Sequence, residues 1–137
     1  MATYVKFQQT VEDWMEGVYT ASSDQFTVAL TTNANLPVVT NSVLADITEI
    51  AYTNLSTQNL TTSTSGQTTG TFTQLFADLV LTASGAVATF RHVVIYNNTP
   101  TSPADPLVCM YDYGSDLTLA SGETLTLDFT TSTFTLV

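Results

Sequence analysis

Residues 123–130 read Glu-Thr-Leu-Thr-Leu-Asp-Phe-Thr, with Leu125, Leu127 and Phe129 on one side and Thr124, Thr126 and Asp128 on the other. A period of two predicts a strand with one face on a core and one in water. Residues 25–31 repeat the pattern, setting Phe26, Val28 and Leu30 against Thr27, Ala29 and Thr31, and predict a half-buried strand. Further strand-like runs occupy 71–83, 85–97, 106–113, 116–120 and 132–137. Turn signals separate them: Ser-Gly at 84–85, the Asn/Pro-rich stretch 97–106, Tyr-Gly-Ser at 113–115 and Ser-Gly at 121–122. Short strands without intervening helices predict a mainly β fold, an antiparallel β-sandwich or a jelly-roll-like barrel.

The period changes only near the start. Over residues 4–18, Phe7, Val11, Trp14, Met15 and Val18 fall on one helical face while Gln8, Glu12, Asp13 and Glu16 face away. This predicts one N-terminal amphipathic helix that Gly17 helps to end. Its apolar face would dock on the domain's own core or lie at a subunit boundary, which makes these five residues the candidate interface. Residues 33–41 read as a loop. Residues 42–50 fit either a short helical turn capped by Ser42 or a strand. Residues 53–70 are polar and Gly-punctuated, a long exposed loop or a weak edge strand. At 137 residues the chain is expected to form a single domain, 1–137. The sequons at Asn54 and Asn59 are those that chance supplies in a Ser/Thr-rich chain.

Charge narrows the function classes. Twelve acids face only Lys6 and Arg91, for a net charge of −10. A nucleic-acid backbone needs several cationic contacts, and an anionic membrane needs a basic patch, so neither is an expected partner. Threonine makes up about a fifth of the chain and must build much of its wet surface. No apolar run approaches the ~20 residues of a membrane helix, and residues 1–14 lack the basic and apolar regions of a secretory signal.

The candidate chemistry is thin. Cys109, in Pro-Leu-Val-Cys-Met-Tyr, reads as a small buried hydrophobe. His92 alternates with Phe90 and Val94 and reads as a hydrogen-bonded strand residue. A serine nucleophile lacks its G-x-S-x-G motif, one His and one Cys fall short of a zinc set, and no phosphate or dinucleotide loop is present. The acids of 107–130 remain. Asp112 and Asp116 flank Tyr-Gly-Ser, but calcium takes six to eight oxygens and an EF-hand needs acids at alternate positions. Asp112 and Asp116 fit better as turn residues, with Gly114 relieving a positive φ. No enzyme, metal or cofactor is expected.

Four blocks, KFQQTVEDWMEGV, SSDQFTVALTTN, NSVLADITEI and YDYGSDLTLASGETLTLDF, occur in this order over nearly the whole chain. Together they resemble small, acidic, β-rich virion structural proteins of tailed bacteriophages. The resemblance implies a non-enzymatic capsid decoration (cement) protein on the capsid exterior, made in the bacterial host cytoplasm. The implied partners are the major capsid protein and copies of itself, as a homo-oligomer (dimer or trimer). A tail or head–tail connector component is the alternative, and a host-glycan or receptor-binding module a third. Residues 53–70 and 98–106 lie outside the resembling blocks.

A net charge of −10 with two cations makes self-repulsion a large part of the electrostatics. The melting temperature is expected to rise between low and physiological salt in a thermal scan; a fall would count against it.

Overall fold

The computed structural model describes residues 2–130 and 134–136. Among the described residues, nine strands and one α-helix follow the order β1 (Thr3–Lys6), α1 (Gln9–Met15), β2 (Phe26–Thr31), β3 (Thr62–Thr68), β4 (Thr71–Phe76), β5 (Leu79–Thr82), β6 (Phe90–Asn97), β7 (Leu107–Leu117), β8 (Thr124–Leu127) and β9 (Phe134–Leu136). All pairings are antiparallel. They form a four-stranded sheet β1-β7-β6-β2, a three-stranded sheet β3-β4-β9 and a two-stranded ribbon β5-β8. The mainly β, antiparallel expectation with one helix holds.

The four-stranded sheet is covered on both faces. One face carries Phe26, Val28, Leu30, Val93, Ile95 and Cys109 into the main core, where they meet Phe76, Leu81 and Phe129 from the other sheets. The Phe76 ring joins these layers, 5.2 Å from Phe26 and 5.8 Å from Phe129. The opposite face carries Ala29, Val94, Tyr96, Leu107 and Met110 with Phe7, and Val39, Leu44 and Ile47 pack over them. This corrects the half-buried reading of residues 25–31. All six residues of β2 are buried: Val39, Leu44 and Ile47 pack over the patch that holds Ala29, Thr27 lies against Asn59, and Thr31 pairs with His92 of β6. Residues 124–130 keep the predicted alternation: Leu125 and Leu127 are partly buried, Phe129 is buried, and Thr124, Thr126 and Asp128 are exposed.

Other boundaries move for identifiable reasons. The run 71–83 divides into β4 and β5, since the chain leaves one sheet for another at Ala77–Asp78. There Ala77 N–H donates to Thr61 O at 2.9 Å, and the Asp78 carboxylate accepts from Phe129 N–H at 2.8 Å. The polar stretch 53–70 contains the edge strand β3, hairpinned onto β4. Residues 42–50 contain a single 3-10 turn at Leu44–Asp46. Its Asp46 carboxylate takes the Ser42 and Val43 N–H groups, so Asp46 caps this turn in place of Ser42. Ser132, Thr133 and Val137 of the run 132–137 lie outside the described residues.

The predicted strands 106–113 and 116–120 merge into β7, and Tyr-Gly-Ser is a bulge within it. Between the pairs Phe90↔Leu117 and His92↔Asp112, residues 113–116 face the single residue Arg91. The turn chemistry survives the change of context. Gly114 has φ +94°, and its N–H donates to Asp112 Oδ1 at 2.8 Å.

Phe76→Ala is expected to cost about 3–5 kcal/mol in denaturant unfolding, because it empties the ring contact between layers. Exposed Val80→Ala should cost well under about 1 kcal/mol in the same measurement.

Candidate functional site

The expected helix over 4–18 is shorter than its pattern. Residues 3–6 pair with β7 in the register Thr3↔Asp112 to Lys6↔Cys109, so backbone pairing converts the first turn of the pattern into an edge strand. Phe7 follows, fully buried, with its N–H on Val108 O at 3.2 Å. The helix covers only Gln9–Met15 and has no side-chain N-cap. It ends as expected at Gly17, with φ +77° and a closing bond from Val18 N–H to Asp13 O at 2.9 Å.

Its orientation departs from the amphipathic expectation at three positions: Val11 and Met15 turn outward and Asp13 inward, while Gln8, Glu12 and Glu16 stay exposed and Trp14 packs partly against the core. The buried positions on α1 are Thr10 and Asp13, both 3 % exposed, whereas Val11 is 47 % and Met15 73 % exposed. Two carbonyls of β7 that the β6 ladder does not satisfy explain this. A second bulge sets Val108 between the pairs Ile95↔Cys109 and Tyr96↔Leu107, and the Thr10 hydroxyl donates to both Leu107 O (2.7 Å) and Val108 O (2.8 Å). The Tyr19 hydroxyl lies 3.0 Å from Leu107 O and 3.3 Å from Asp13 Oδ2. Burial raises the Asp13 carboxyl above its usual range. With polar groups required beneath the helix, Val11 and Met15 point outward.

Trp14 joins this outward face to the body. Its ring lies 5.0 Å from Tyr19, edge to face at 80°, and 6.0 Å from Phe72 of β4. Trp14, Met15 and Phe72 line two adjoining clefts. One, of about 130 Å³, also touches Tyr4, Lys6 and Val11; the other, of about 520 Å³, runs past Tyr19 to Ser22 and Ser65. Tyr4 is 42 % exposed on β1, the edge strand of its sheet. The result is an apolar trough along a sheet edge, with Lys6 beside it. Of the five predicted interface residues, Val11, Trp14 and Met15 meet here. Phe7 is enclosed in the second core, and Val18, partly buried, packs against the main core beyond the helix end. Tyr4 and Phe72 belong to the trough and were not legible as such. Tyr4 sat inside the predicted helix, and Phe72 becomes a neighbour only through the β3–β4 hairpin.

The acids of 107–130 lie apart from this trough and serve local structure. Asp112 forms a two-point pair with Arg91, Nε to Oδ1 at 2.8 Å and Nη2 to Oδ2 at 3.1 Å, and these contacts pull its carboxyl down to about 2. Glu123 accepts from Ala120 N–H at 2.7 Å and Asp128 from Thr130 N–H at 2.9 Å, while Asp116 is exposed. Among the described residues no three His, Cys, Asp or Glu side chains converge on a point that would hold a metal. No helix of the described residues is long and apolar enough to cross a membrane. Cys109 is fully buried, and burial pushes its thiol up.

His92 departs from the hydrogen-bonded reading. It is 1 % exposed and stands between Thr31 of β2 and Asp112 of β7, and neither its Nδ1 nor Thr31 Oγ1 has a partner among the described residues. Comparison with protein-family models, curated proteins and solved structures finds no significant match. The chain's own geometry and residue pattern therefore carry its functional reading.

Burial lowers the pKa of His92 below 6.5, against the opposing pull of Asp112. The unfolded chain then binds a proton at His92 before the folded chain does, so stability is expected to decline as pH drops below about 6.5. Asp112, depressed from 3.8 to about 2, adds a second decline between those values. Unfolding measured across pH should show both, and His92→Gln should remove only the upper one.

Proposed function

We propose that this chain is a non-enzymatic bacteriophage virion structural protein, a capsid decoration protein that binds the outer surface of the shell. The observation that carries the reading is the outward turn of two apolar residues on the helix. A seven-residue helix turns Val11 and Met15 to solvent beside Trp14, at the edge of a sheet, in a chain otherwise dressed in threonine and carboxylates. Contiguous exposed apolar groups rimmed by polar ones mark protein–protein contact. A cement protein requires such a patch and needs no reaction centre. The four resembling blocks supply the virion context, and the helix lies within the first of them.

The same reading takes the main core, shared by Phe26 and Val93 of one sheet with Phe76 and Leu81 of the others, as that of a β-sandwich. The acidic exterior suits a surface that must not adhere to DNA. Binding that engages only the expanded shell would stabilise it by mass action. The partners in this reading are the major capsid protein and further copies of the chain.

Purified protein is expected to add to preformed expanded shells in many copies per particle, as counted by cryo-electron microscopy. Val11→Asp with Met15→Asp changes only exposed positions and should retain the fold by circular dichroism. It should weaken shell binding at least about tenfold, or about 1.4 kcal/mol. Trp14→Ala should impair binding or folding more than Asp116→Ala. Unchanged binding by the double variant would remove the proposal, and rings or tubes at low copy number would point to the tail instead.

A further inference from the structure

A second concavity lies away from the helix, where the bulged end of β7 faces β8. Its volume is about 420 Å³, and Tyr111, Tyr113 and Leu117 of β7 line it opposite Leu125, Leu127 and Phe129. This volume falls within the range of small-ligand pockets, roughly 300–1,000 Å³. The bulge over residues 113–116 builds one wall, since it inserts four residues against Arg91 and brings both Tyr113 and Leu117 to the cavity. Tyr111 and Phe129 meet edge to face, with centroids 6.4 Å apart and planes at 68°. They make a corner of two aromatic walls, and Tyr113, 46 % exposed, lines the cavity beside them.

Asp128 is the one charged residue of the lining, and it is exposed at the rim, on the other side of the chain from Leu127 and Phe129. Its Oδ1 accepts from Thr130 N–H at 2.9 Å, and among the described residues no donor meets Oδ2. Neither Lys6 nor Arg91 lines the cavity, and Arg91 is committed to Asp112. Aromatic faces are the negative ends of their quadrupoles, so several rings with a nearby carboxylate favour a cation over a neutral group of the same shape. The leucines beside them suit an aliphatic stem.

We propose that this cavity is a docking pocket for an arginine or lysine side chain presented by a protein partner. The stem lies along Leu117, Leu125 and Leu127 beside the Tyr111 and Phe129 rings, and the charged head emerges past Tyr113 toward Asp128 at the exposed rim. A net charge of −10 steers basic surfaces toward the chain, and the pocket gives that general attraction a specific point of attachment. A neutral apolar knob would use the leucines and leave Asp128 without a role. A saccharide would need more convergent polar groups than Thr126, Asp128 and the tyrosine hydroxyls supply. The partner need not be a capsid.

The test uses the full chain and three blocked tripeptides, Gly-Arg-Gly, Gly-citrulline-Gly and Gly-norleucine-Gly, followed by NMR at the aromatic signals. Citrulline matches arginine in shape without charge, and norleucine offers only the stem. The arginine peptide is expected to shift Tyr111, Tyr113 and Phe129 and to bind about three- to fivefold more tightly than either neutral peptide. Asp128→Asn, at an exposed position, should erase most of that preference, and Glu16→Gln, a remote acid, should preserve it. Equal binding by citrulline, tighter binding by norleucine, or an equal loss from Glu16→Gln would overturn the proposal. Stronger shifts at the same rings with glucose, galactose or N-acetylglucosamine would assign the pocket to glycans and overturn it too. No shell takes part, so failure here leaves the decoration reading standing, and the reverse holds as well.

Discussion

Two backbone carbonyls, those of Leu107 and Val108, set how the N-terminal helix sits on the sheet. Both residues are essentially without solvent. The bulge at Val108 breaks the regular exchange between β6 and β7, so a buried carbonyl must find a donor elsewhere or cost stability. Thr10, Tyr19 and the Phe7 N–H supply those donors. Meeting this demand turns Thr10 and Asp13 inward and leaves Val11 and Met15 outside. The exposed apolar trough is thus a consequence of backbone hydrogen bonding some hundred residues away in the chain.

β7 links the two candidate surfaces. Its N-terminal end pairs with β1 and anchors the helix, which carries the Trp14 trough. Its C-terminal end bulges at 113–116 and forms one wall of the aromatic cavity. Each bulge interrupts the ladder, and each lies under a surface that could receive a partner. The sheet itself is insulated on both faces, by the main core and by the Val39, Leu44 and Ile47 cover. A rigid two-sided sheet is a suitable support for contacts made at its edge and at its bulged end.

The polar groups within that sheet are less settled energetically than its apolar ones. His92 and Thr31 face each other across β6 and β2 with orphaned atoms, while the next member of the row, Asp112, is held by Arg91 and Gly114. The chain has two cations, and one of them secures Asp112 in this row. Lys6 makes no ion pair with the described residues and lies at the trough. Of the other eleven acids, five accept from backbone N–H groups among the described residues: Asp24, Asp46, Asp78, Glu123 and Asp128.

Period-two alternation in 123–130 and the Gly and Asp turn chemistry at 112–116 were decided locally, because side-chain direction and φ depend on near neighbours. Gly17 ended the helix for the same reason. The sequence by itself therefore determined the β class, most strand positions and the helix stop. Whether Asp112-Tyr-Gly-Ser-Asp116 closes a turn or bulges a strand depends on β6 lying alongside, which no local signal records. Whether Ala29 and Thr27 meet water depends on segments that fold over them, residues 39–47 and Asn59. The helix is the sharpest case. Its pattern promised an apolar face buried and a polar face wet, and the tertiary structure kept that for Phe7, Trp14, Gln8, Glu12 and Glu16 but turned Asp13 in and Val11 and Met15 out, since two carbonyls of β7 outside the β6 ladder needed donors more than Val11 and Met15 needed cover.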